Sequence, residues 1–199
     1  MTLLKPVVVI IVGMLVLCVG VTAAQKNMGE TVAQLWGSNI TVREFLSQVS
    51  PELLQSIPRN AWETTVGWGS ASVTAYKQAD HLTELSRDEP DFITVKATNS
   101  FSVSGKTVTL GASNTVVDPL FYHVPAMSVY CFLLEDGLNI FTHGDYDTDV
   151  WRVTSRESYA VSGGAYYQNM SYHFVDYPVG YYPPTIFWIK YSSTRWINE

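Results

Sequence analysis

The chain has 199 residues, of which 15% are charged and 13% aromatic, and its formal net charge is −6. That sign excludes the basic footprint that nucleic acids and anionic lipid head groups require. Of its two cysteines, Cys18 lies in an apolar run and Cys131 stands alone beyond it. No intramolecular disulfide can therefore staple the rest of the chain, which excludes the small disulfide-framework scaffolds.

Residues 7–24, VVVIIVGMLVLCVGVTAA, form an uncharged run behind a stub whose one charged side chain is Lys5. Its length is at the lower edge of the ~17–25 residues a helix needs to cross a bilayer. The segment reads as a membrane anchor or as a signal peptide, with Val21-Thr22-Ala23 or Thr22-Ala23-Ala24 as the cleavage site. Both readings place the remainder outside the cytoplasm, anchored if the run is retained and secreted if it is removed. Two sequons, Asn39-Ile40-Thr41 and Asn169-Met170-Ser171, fit that placement and make Asn39 and Asn169 the candidate glycosylation positions.

Residues 25–89 read as a tether and a helical neck, with Leu35-Trp36 as an interfacial aromatic anchor. Thr41 and Glu44 have capping-box spacing, and Val42, Phe45, Leu46, Val49 and Leu53 recur with helical period. Ser50-Pro51-Glu52 marks a second helix start, ending before Pro58. A third helix is expected from Asn60 toward Leu85, although Gly67-Trp-Gly-Ser-Ala-Ser72 is poor helix material.

From residue 90 onward the period shifts to 2, and residues 90–199 read as one β-rich extracytoplasmic part. Ser104-Gly105 and Asp136-Gly137 are hairpin turns, the second being the stronger signal. Further strands are expected at 150–154, 158–161, 165–175 and 185–191. The fold class is mainly β with a helical N-terminal part: an antiparallel sandwich or partly open barrel of seven to nine strands. An α+β arrangement, with the helices packed on the sheet, is the alternative.

Three places can carry chemistry. Asp145, Asp147 and Asp149 alternate as in the first half of a Ca²⁺ loop, but the Gly and Glu positions such loops need hold Val150 and Arg156. A solvated acidic turn competes with Ca²⁺ as the reading of that segment; no other cofactor is implied. His81, His123, His143 and His173 lack zinc-motif spacing. The C-terminal aromatics, chiefly Tyr181, Tyr182, Trp188 and Trp196, suit a protein interface or sugar stacking. Cys131, within Ser128-Val-Tyr-Cys-Phe-Leu-Leu134, reads as a buried small hydrophobe. Ser104-Gly-Lys-Thr107 copies only the tail of a P-loop, and no other catalytic or dinucleotide motif occurs.

The expected function is non-enzymatic: a structural or accessory subunit of a membrane complex, surface filament or virion membrane. Its partners are the membrane, through residues 7–24, and other proteins or further copies of the chain. A glycan- or ligand-binding module is the alternative, and a secreted metal-dependent hydrolase a third reading.

Overall fold

The computed structural model describes residues 28–78 and 89–199. The apolar run 7–24 and His81 lie outside the described residues. Among those described, no helix is long and apolar enough to cross a membrane.

Helix α1 spans Met28–Leu35 and α2 spans Val42–Val49. The predicted capping box closes α2: the Glu44 amide donates to Thr41 Oγ1, and the Thr41 amide donates to Glu44 Oε2 at 2.9 Å. Two otherwise orphaned N–H groups are satisfied this way. The predicted stripe is buried as a unit, from Val42, Phe45 and Leu46 through Val49 to Leu53. Pro51–Ser56 continues as a 3₁₀ helix with Pro at its start, and Arg59–Ala61 forms one further 3₁₀ turn.

Eleven strands follow among the described residues. They are β1 Val66–Trp68, β2 Ser72–Lys77, β3 Phe92–Ser104, β4 Thr107–Asp118, β5 Val124–Glu135, β6 Leu138–Val150, β7 Arg152–Ala160, β8 Ala165–Asp176, β9 Tyr181–Tyr182, β10 Thr185–Tyr191 and β11 Arg195–Ile197. One sheet has the order β1-β10-β8-β5-β6, with β11 also on β8; the other runs β7-β4-β3-β2-β9. The β1–β10 pair is parallel and every other pair is antiparallel. At the Asp136-Gly137 turn both φ values are positive, 48° and 85°, as a two-residue primed hairpin demands.

The two sheets stack on a core of Ile93, Val95, Leu110, Val129, Leu133, Val175 and Trp188, among others. The opposite face of the six-stranded sheet carries a second core. There Phe132, Tyr172, Phe174 and Phe187 meet Val32, Phe45 and Leu46 of the helices. The molecule is therefore layered as helices, six-stranded sheet, five-stranded sheet. A strand buried on both faces loses its polar alternation, which is why 128–134 and 170–175 read as near-continuous apolar runs.

Four expectations are corrected. The strands number more than nine, because β1, β9 and β11 are too short to leave a period. The segment expected as a third helix holds β1 and β2, since pairing to β10 and β3 overrides local propensity. The helices lie on the sheet rather than standing off as a neck. His143–Asp149 is no hairpin turn: β6 continues through it, paired with β5 except at Asp149, whose φ is 53°, and the chain changes sheets at Trp151.

Candidate functional site

Between the sheets runs a buried polar seam. Asn114 Nδ2 donates to the carbonyls of Ser128 and Phe174, both at 3.0 Å. Its Oδ1 therefore accepts from His173 Nδ1–H at 2.8 Å, leaving Nε2 to accept from the Ser171 hydroxyl at 2.9 Å. Ser171 Oγ in turn accepts from Asn99 Nδ2 at 2.7 Å. Asn169 extends the seam through Nδ2 to the carbonyls of Ser100 and Gly111, at 2.9 and 3.2 Å. Every member of the Asn99–Ser171–His173–Asn114 series acts as donor or acceptor in one consistent direction, with a neutral imidazole. Burial, with the Lys190 charge second, pulls His173 down to about 3.

A hydroxyl, an imidazole and an orienting amide in series have the composition of a nucleophile, a base and its positioner. Ser171, His173 and Asn114 are all at 0% exposure, however. No substrate atom reaches Ser171 without parting the sheets, so the seam joins the layers. Cys131 is buried beside it, its thiol pushed up to about 12 by burial, with a partly opposing hydrogen bond from Asn169. That thiol is protonated and inert at neutral pH.

The residues singled out in the sequence are dispersed. Trp188 is fully buried, its ring stacked 5.3 Å from that of His173, so it cannot meet a partner; this corrects its assignment to an interface. Tyr181 is also buried, its hydroxyl donating to the Pro90 carbonyl. Tyr182 and Trp196 are 63% and 53% exposed. Asn39 is exposed, whereas Asn169 is enclosed in the seam, where a glycan is incompatible with the packing.

Asp145, Asp147 and Asp149 lie on strand β6, where alternate residues are about 7 Å apart, and they do not converge. Asp145 and Asp147 accept from the amides of Tyr146 and Thr148, at 3.0 and 2.8 Å, while Asp149 faces His123 at 3.3 Å. His143 pairs with Ser155 at 2.6 Å, far from the other histidines in role and setting. No metal-holding group of three or more His, Cys, Asp or Glu side chains exists among the described residues. The Ca²⁺ expectation is thus corrected.

Two surface features stand out instead. The first is an exposed aromatic row: Tyr182 of β9 pairs with Tyr76 of β2, and Tyr76 pairs with Phe92 of β3. The Tyr76 and Phe92 rings are 6.4 Å apart, and the three residues are 63%, 62% and 38% exposed in strand order. The same outward face otherwise presents short hydroxyl side chains, such as Thr74 with Thr94 and Thr98 with Ser113, bonded across the strands at 2.9 and 2.7 Å. Sequence reading missed the row because Tyr76 sat in an expected helix, and the three rings meet only through long-range pairing.

The second is a cleft of about 520 Å³ beside the loop that follows β8. Asp176, Asn60 and Gln78 supply its polar groups, and Tyr177 and Tyr182 its rings. Asn60 Nδ2 donates to Asp176 Oδ1 at 3.3 Å, which offsets part of the rise that burial imposes on this half-buried carboxyl.

The chain matches no protein-family model and no curated protein. Among solved structures it is similar to CsgH of R. palustris, determined in solution, at 19% identity and a TM-score of 0.31. The similarity covers 48% of this chain and 90% of that one, and at that score it carries no argument about fold or function.

Proposed function

We propose that the chain is a non-enzymatic structural or accessory subunit of a membrane or envelope assembly. Residues 7–24 hold it at the bilayer, with the β-rich part extracytoplasmic. The row Phe92–Tyr76–Tyr182 makes the contact with a protein partner or a second copy.

The row is the observation that carries this reading. Three partly exposed rings stand on a face otherwise built largely of hydroxyl side chains, and burying what remains exposed of one such ring is worth on the order of 1 kcal/mol. Exposed tyrosines with a polar tip are the side chains that anchor protein interfaces. A photo-cross-linking amino acid in place of Tyr76, in cells that make the protein, is expected to give one discrete protein adduct. The same probe in place of Thr98, mid-face, is expected to give none. Equal labelling at both positions, or none at either, contradicts the reading.

The cleft supports a second reading, a glycan-binding module. A carboxylate and two amides can grip adjacent sugar hydroxyls, while the Tyr182 ring offers a face to sugar C–H groups. Glycan-array binding abolished in Asp176→Ala and Tyr182→Ala variants would favour it; binding unchanged in both would remove it.

A further inference from the structure

We infer that the uncovered end of the helix-side face of the six-stranded sheet, marked by Trp36, Tyr166, Tyr191 and Trp196, rests on the zwitterionic lipid head-group layer. This rests on the proposal that residues 7–24 insert in the bilayer.

The helices cover only part of that face. Along β8 the residues turned toward them are Tyr166, Gln168, Met170, Tyr172 and Phe174, of which the last three are buried in the helix-side core. Tyr166, at the bare end, is 55% exposed and packs against Trp196 with ring centres 4.9 Å apart. One alternation further, Gln168 lines an open groove of about 580 Å³ together with Leu134, Trp36 and Tyr191. Trp36 is 43% exposed and lies 5.3 Å from the Tyr191 ring, ring centre to ring centre. Tyr191 is the strand partner of Met170 and Trp196 that of Tyr166, so the two aromatic pairs lie two such steps apart along β8, about 14 Å.

Chain length limits how far this surface can sit from the bilayer. Gly29, in the first turn of α1, lines the same groove, and its amide donates to the Gly137 carbonyl at 2.9 Å. Only Gln25, Lys26 and Asn27 separate the apolar run from α1. Four Cα steps, from Ala24 to Met28, extend at most about 14 Å. With the run in the hydrocarbon, Met28, at the Gly29 end of the groove, is held within that reach of its boundary. The head-group zone is roughly 5–7 Å deep on each side, so any linker shorter than about half its full extension brings the surface nearest the chain entry onto it. Trp and Tyr are the residues that favour that zone, each with an apolar body and a polar tip. Glu30 in the groove and Asp136 next to Gly137 disfavour anionic lipid, so the surface fits a zwitterionic one.

None of the six tryptophans lies in residues 1–24, so quenching by bromines in a bilayer reports on the folded part alone. The test uses the full chain in phosphatidylcholine vesicles with brominated acyl chains, purified by flotation. The expected result is flotation with quenched tryptophan emission, stronger for bromines near the head groups than at the chain ends. Most of that quenching should be lost in a Trp36→Phe/Trp196→Phe variant that floats equally and keeps its circular dichroism. Equal quenching in wild type and variant, or none in a protein that floats, overturns the placement of this face and leaves the anchor standing. A protein that does not float overturns the anchor and this inference with it.

Discussion

His173 is held neutral by its surroundings, and this makes the molecule acid-sensitive in a defined window. Its folded-state value of about 3 lies below the ordinary 6.5, so the fold favours the uncharged imidazole. The stabilisation is complete above pH 6.5 and is lost progressively as the pH falls from there toward 3. At pH 4.5 the loss amounts to roughly 2–3 kcal/mol. Urea titrations at pH 7 and 4.5 should show it, and a His173→Gln variant should be less stable at pH 7 yet much flatter with pH; equal slopes would contradict this. Asn114→Ala removes at once the acceptor of His173 Nδ1–H and the amide that donates to the Ser128 and Phe174 carbonyls, and should cost about 2–4 kcal/mol in the same titration. Little of the seam was legible beforehand. Its members are single polar residues inside apolar strands, and only the stacking of two sheets reveals that Asn99, Asn114, Asn169 and His173 face one another. The same enclosure defeats the local sequon at Asn169.

Among the described residues, strand β6 ends its sheet, with no strand on its outer side. A free edge of that length is a template for pairing with another chain. Asp145 and Asp147 block it by folding their carboxylates onto the amides of Tyr146 and Thr148. An Asp145→Ala/Asp147→Ala variant exposes those donors on an edge left with Asp149 as its one carboxylate. Dynamic light scattering should then show concentration-dependent self-association beyond that of the parent; identical hydrodynamic radii would refute the guarding role. Gly144 in the same strand lies under the Tyr130 ring, and a Cβ there would come within 2.8 Å of the Val129 carbonyl oxygen. Gly144→Ala should therefore destabilise by about 1–3 kcal/mol, measured as a lower urea midpoint. At this scale the sequence was legible wherever the signal was local, as in the Thr41–Glu44 box and the Asp136-Gly137 turn. It misled where edge position or pairing decides. Alternating carboxylates look like a turn when nothing says that they line an edge, and glycine-rich 67–72 hides two strands.

At the scale of the whole molecule, a sheet buried on both faces accounts for the low charge and much of the aromatic content, because most rings fill the two cores. What remains outside is informative by its placement. One row lies on the five-stranded sheet, and a second cluster lies beside α1 at the bare end of the six-stranded sheet. Both classes of feature, core and surface, were visible as an aromatic excess, but the sequence could not separate them: Trp188 proved to be core and Tyr182 surface. The mass of the protein, extracted in mild detergent from the cells that make it and measured by light scattering, tests the subunit role most directly. A protein mass well above one chain is expected, from copies or a co-purifying partner, and it should fall toward a single chain in a Tyr76→Ser/Tyr182→Ser variant. A monomer of the wild type with nothing bound would contradict it.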